Sequence, residues 1–169
     1  NIQKEDLHIA LSNNKKYKKL DYISGWFQKA SEYIENSSSK SGFVTTNSIT
    51  QGEQVNMLWP SLLQKVNINF AYSSFKWRNN AKGNAGVIVN IIGMCAKDIN
   101  TQFYLFNGNN FKKVKHISPY LVEGNATTIA TSRHNLNPNM PIASLGCLPL
   151  DGGHLILSPT EYKSVISKY

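Results

Sequence analysis

Hydrophobic positions recur along this chain with two different periods. From Leu20 to Glu35 the apolar residues Leu20, Ile23, Trp26, Phe27, Ala30, Tyr33 and Ile34 fall at helical spacing, which predicts an amphipathic helix with its aromatic rings in the core. Thr50–Lys65 repeats the pattern with Val55, Leu58, Trp59, Leu62 and Leu63. Thr50 followed three residues later by Glu53 predicts a capping box there, and Pro60 a kink. Asn1–Ser12 reads as a short helix, Asn36–Ser41 as a loop and Gly42–Thr46 as a short buried strand.

The period then shortens. Val66–Tyr72 and Gly86–Met94 are rich in Val, Ile, Phe and Tyr and too short for helices, so they predict paired strands. The polar connection between them holds Phe75, Lys76, Trp77, Arg78 and Lys82. An exposed connection gains nothing from two large rings unless something docks on them. A nucleobase stacked on the rings, with phosphates at the cations, accounts for the mixture. The plainer alternative is that the rings fold back onto the sheet beside ordinary solvated cations. The order helix, strand, helix, strand, strand predicts an α/β wound sheet ending in an antiparallel hairpin.

Beyond Met94 the texture changes. Phe103–Phe106 and Phe111–Val114, joined by Asn107–Asn110, predict a second hairpin. Ile117–Leu150 carries Pro119, Pro138, Pro141 and Pro149 among many Asn, Ser and Thr, and reads as loop-rich, with a strand at Thr127–Thr131. Asp151-Gly152-Gly153 is a tight turn that favours glycine conformations rather than a catalytic motif, and His154–Leu157 a short strand. Ser158-Pro159-Thr160-Glu161 is a second capping box, opening a helix over Pro159–Lys168. The change of texture places a boundary near Lys97–Gln102, dividing the chain into residues 1–98 and 99–169.

Charge sharpens this picture. A formal net charge of +8 points to an anionic partner. No segment has the length of a membrane span and no basic amphipathic helix stands out, which favours nucleic acid over a membrane. The lysine-rich run Asn13–Lys19 is either a phosphate-binding patch or a solvated loop. Two cysteines, Cys95 and Cys147, lack metal or redox spacing and read as reduced core thiols of an intracellular protein. His8, His116, His134 and His154 are scattered, so no metal site is expected. There is no signal peptide, and a start at Asn1 without methionine reads as a piece of a longer chain.

The segments LDYISGWFQKASEYI, FVTTNSITQGEQVNMLWPSLL, INFAYSSFKWRNNAKGNAGVIVNIIGM, ISPYLVEG and LPLDGGHLILS resemble successive parts of the MmeI-like adenine-specific DNA methyltransferases. These are restriction-modification enzymes that join methylase and specificity regions in one chain. The resemblance spans roughly Lys19 to Ser158. Such enzymes hold S-adenosylmethionine on a glycine-rich loop and the target amine on an Asn-Pro-Pro-aromatic tetrapeptide. Neither occurs here, and Lys82-Gly83-Asn84-Ala85-Gly86 lies between antiparallel strands, the wrong context for a nucleotide loop. The resemblance therefore implies a partial Rossmann-like class I methyltransferase sheet ending in an antiparallel hairpin, followed by a loop-rich α+β region. Residues 1–98 would be the C-terminal half of the methylase domain and 99–169 the start of the target-recognition domain.

In that frame Gly42–Thr46 is an inner strand and Phe75, with Trp77 as second choice, is the ring that stacks on an extruded base, because the amine cannot be reached inside a duplex. Lys76, Arg78 and Lys82 would hold the surrounding phosphates. Asn47 and Ser48 close the inner strand, at the edge where open α/β sheets bind ligands. They line a cofactor or base pocket, or else serve as turn residues satisfying backbone groups. Arg133 and His134 lie in a polar stretch that is either a base-reading segment or a solvated loop. The expected partners are double-stranded DNA and the missing N-terminal half of the methylase domain, in a cytoplasmic enzyme. S-adenosylmethionine would serve the full-length protein, with no tight binding by this piece. The alternative is a stand-alone DNA-binding or specificity module without catalysis.

Overall fold

The computed structural model describes residues 2–12, 14–77, 86–125, 128, 139 and 156–168. Among the described residues, three α-helices and five strands fall in one compact unit, Asn1–Thr131, and one α-helix in a second, Ser132–Tyr169. Helix α1 (Ile2–Ala10) and α2 (Ile23–Ile34) lead into β1 (Lys40–Thr46). A 3-10 turn, Asn47–Thr50, then opens α3 (Gly52–Leu62), followed by β2 (Val66–Lys76), β3 (Ile88–Ala96), β4 (Phe103–Asn107) and β5 (Asn110–Val114). In the second unit α4 (Pro159–Ile166) has the expected capping box, with Ser158 and Glu161 bonded reciprocally.

The sheet is open and mixed, in the order β1-β3-β2-β4-β5. β3 runs antiparallel to both β1 and β2, β4 is parallel to β2, and β5 returns antiparallel to β4. Direct antiparallel pairs point to one face, so the register sorts the side chains. Phe43, Ala71, Ile92 and Met94 face the helices, where Phe27, Leu58 and Trp59 are completely buried. The ring of Phe27 meets Phe43 at 4.8 Å and the edge of Trp59 at 5.7 Å. Phe70, Tyr72, Tyr104 and Phe106 take the other face, with Tyr72 stacked on Phe106 at 4.3 Å. There the Phe70 ring crowds Gly93, whose lack of a side chain permits the approach: a Cβ would sit 2.0 Å from the ring. Cys95 is buried beside it, and desolvation pushes its thiol upward.

Several sequence expectations change. The capping box at Thr50 and Glu53 does not form. Gln51 occupies the N-cap without a side-chain bond, because the Thr50 hydroxyl is taken up by the core. Pro60 does lie inside α3, two residues before its end. β1 is not buried throughout: only Thr45 is, and the strand lies at the outer edge of the sheet rather than within it, with β3 its one partner among the described strands. β2 extends four residues beyond Tyr72, so Phe75 and Lys76 stand on a strand and not in a loop. The second hairpin forms as expected, with Gly108 at φ +57° in its two-residue turn. The sheet thus runs on past residue 98. Of the predicted strand at Thr127–Thr131 only Thr128 is among the described residues, and it is not in a strand; the turn at Asp151–Gly153 and Cys147 lie outside them.

Candidate functional site

The C-terminal ends of β1 and β2 and the start of β3 meet at one end of the sheet. Thr46 pairs with Val89, and Val89 in turn with Phe75, so the turn after β1 and the ring-bearing end of β2 are two strand spacings apart, about 10 Å. This edge brings together Asn47, Ser48, Phe75, Lys76 and Trp77. Arg78 and Lys82, and likewise Arg133 and His134, lie outside the described residues.

Phe75 and Trp77 remain accessible, 36% and 41% exposed, with ring centroids 6.5 Å apart and planes inclined by 41°. Rings of this size lose favourable free energy when left in water, about 25 cal/mol per Å2 of apolar surface, so paired exposure suits a site that something covers. The backbone holds them firmly. Phe75 is in register with Val89, and the Trp77 N–H donates to the Val87 carbonyl at 2.8 Å. Lys76, between them, pairs with Ile88, and the Cε–Nζ end of its side chain lies beside Gly86.

The 3-10 turn after β1 is tied down at three points. Ser48 Oγ donates to the Asp21 carboxylate and is also within 2.9 Å of Thr46 Oγ1. The indole N–H of Trp59 donates to the Ile49 carbonyl at 2.8 Å. Thr50 Oγ1 donates to the Asn47 carbonyl at 2.9 Å and accepts from Asn90 Nδ2 at 2.8 Å. Asp21 is placed by its own backbone N–H, which donates to Gln54 Oε1 at 3.2 Å. Asn47 and Ser48 are half-buried, and the Ser48 hydroxyl is engaged within the protein.

Sequence reasoning does not single out Asp21, Ser74 or Asn90, and it picks Thr50 only as a helix cap. Asn90 carried a visible signal: one amide side chain within the apolar run Val87–Met94. A second cationic, aromatic surface lies on β5, where Phe111 is 64% exposed and followed by Lys112 and Lys113. Lys112 donates to Glu123 at 2.6 Å and holds that carboxyl below the usual range. No group of metal-ligating side chains occurs among the described residues, and none of their helices is long and apolar enough to cross a membrane.

An open mixed sheet, with helices on one face and exposed rings beside a polar turn at one end, places the chain among α/β methyltransferase-like folds. Residues 1–107 match the model of the MmeI DNA-methyltransferase domain, and the chain belongs to that family. It is 44% identical over 167 residues to DNA methyltransferase A of Bacillus subtilis (strain 168), an alignment covering 98% of this chain and 19% of that protein. Its fold is similar to that of MmeI, a Type IIL restriction-modification enzyme solved in complex with DNA, with a TM-score of 0.74 and 36% identity over 98% of this chain and 23% of the other. The chain thus spans about a fifth of the length of the relatives it matches.

Proposed function

We propose that this chain is the part of a restriction-modification DNA adenine methyltransferase that receives the flipped base and begins the specificity region. The parent reaction is direct methyl transfer to the exocyclic amine of adenine, with no covalent enzyme intermediate. S-adenosylmethionine supplies the methyl group when bound. The described residues do not fit that cofactor by themselves. The turn from β1 to α3 carries one glycine, Gly52, and its Ser48 and Thr50 hydroxyls are already bonded within the protein. The cofactor and the amine-binding tetrapeptide belong in this reading to the other half of the methylase domain. Residues 1–98 complete that domain, and 99–169 open the target-recognition region, a division by role within a continuous sheet.

The observation that carries the reading is the pair of exposed rings on a rigid strand end, flanked by Lys76. Phe75, or Trp77 beside it, covers the face of the extruded adenine and offsets the cost of unstacking it. Lys76, Arg78 and Lys82 neutralise phosphates around the nucleotide and add affinity without choosing sequence. Asn47 and Ser48 border the base pocket, and Arg133 and His134 belong to the recognition region. A stand-alone DNA-binding module is the second reading, favoured by the net charge of +8.

The test replaces Phe75 and Trp77 separately by alanine in the full-length enzyme. Loss of a stacking contact worth about 1–3 kcal/mol should slow single-turnover methylation roughly ten- to a hundredfold and reduce the fluorescence of 2-aminopurine placed at the target adenine. If both variants methylate and flip like the parent enzyme, the assignment of these rings is wrong. The isolated chain should show no turnover on DNA, whereas turnover would contradict the division of labour.

A further inference from the structure

β2 changes the direction of its side chains within three residues. Tyr72 pairs with Ile91 and Phe75 with Val89, so β2 spends three steps where β3 spends two. Strict alternation from Tyr72 would put Phe75 on the helix-packed face. The bulge instead sends it to the opposite face, beside Val89, as bulges commonly re-aim a side chain. Two serines absorb the irregularity. Ser73 Oγ donates outward to the Phe106 carbonyl of β4 at 3.0 Å. Ser74 Oγ donates inward at 2.7 Å to Oδ1 of Asn90, which is fully buried.

Asn90 passes the connection on. Its Nδ2 donates to Thr50 Oγ1 at 2.8 Å, and that hydroxyl donates to the Asn47 carbonyl at 2.9 Å. Every member of the chain from Ser74 to Asn47 therefore acts in one sense, and turning the Asn90 amide over would cost the bond to Asn47. A buried amide in an apolar strand is unfavourable unless both its ends are satisfied, which makes this a high-stakes and specifying network.

We propose that Asn90 is a positioning residue for base capture: through Ser74 it holds the bulge that aims Phe75, and through Thr50 it locks that strand end to the turn at Asn47. This rests on the reading of Phe75 as a base-stacking ring. Flipped base and neighbouring turn are then set by one rigid relay, so that the ring is already in place before DNA arrives.

Ser74→Ala in the full-length enzyme removes one bond at an accessible position and leaves the buried amide joined to Thr50; Ser74→Thr restores the hydroxyl. Ser74→Ala should lower both the 2-aminopurine signal and the single-turnover rate about five- to twentyfold, with duplex affinity within twofold of the parent enzyme. Ser74→Thr should recover both. Combined with Phe75→Ala, Ser74→Ala should add little, because both act through the same ring. An unaltered flipping signal in Ser74→Ala, or independent effects in the double variant, would overturn the proposal. If Phe75→Ala is itself silent, the stacking reading fails separately. The positioning claim is then decided by a crystal structure of the Ser74→Ala enzyme, and a Phe75 ring still seated beside Val89 would refute it.

Discussion

Single side chains at this sheet end are specified by contacts that no local pattern announces. Thr50 illustrates this: its hydroxyl has the spacing to cap α3, yet a buried amide from β3 and the Asn47 carbonyl claim it instead. Gly93 is another such position, since the Phe70 ring occupies the space of its missing side chain. Gly93→Ala should therefore destabilise the chain by about 1–3 kcal/mol through forced movement of that ring, measured by urea unfolding. Adding Phe70→Leu should restore part of the loss. Full stability in the single variant would show that the ring yields freely.

At the scale of elements, what was legible depended on whether the determining interactions were local. The apolar spacing across Leu20–Glu35 and the Ser158–Glu161 motif act within a few residues, and both elements formed with ends shifted by at most a turn. The sequence pattern ends β2 at Tyr72 because Ser73 and Ser74 break its alternation, and that break is a bulge rather than a strand end. The edge position of β1 depends on which strands the described chain supplies, a fact its own residues do not contain. The candidate rings were legible by residue type, but the footing of Phe75 on a strand and the hydrogen bonds that join Ser74 to the turn through Asn90 are tertiary facts.

The cap of α4 also makes a prediction about pH. Hydrogen bonds from the Ser158 hydroxyl and backbone N–H hold the Glu161 carboxyl below its ordinary value of 4.5. A lowered folded value means the cap contributes fully above the unfolded value and is lost as pH falls through the folded one. Amide exchange in the first turn of α4, followed by NMR and corrected for intrinsic rates, should lose protection below that range. Glu161→Gln, which does not titrate, should remove the pH dependence.

For the whole molecule, on the proposed reading, the net charge of +8 and Lys76 between the rings govern DNA association. Counterion release makes the logarithm of affinity fall linearly with that of salt, by about 0.9 per phosphate neutralised. In the full-length enzyme Lys76→Ala should flatten that slope by about one unit across unrelated duplex sequences, as read from fluorescence anisotropy titrations. An unchanged slope would place Lys76 away from the phosphates.

The strand order also dictates how the site comes into being. β1 and β2 run in the same direction but never touch, and each waits for β3, which is made after both and lies between them. Until Ile88–Ala96 has been synthesised, the polar turn and the aromatic strand end have no common scaffold. The pairing of β1 with β3 is distant in sequence, so closing it costs chain entropy before any contact rewards it. β3 is therefore the strand that both neighbours share, and the polar turn and the aromatic strand end come into register only through it.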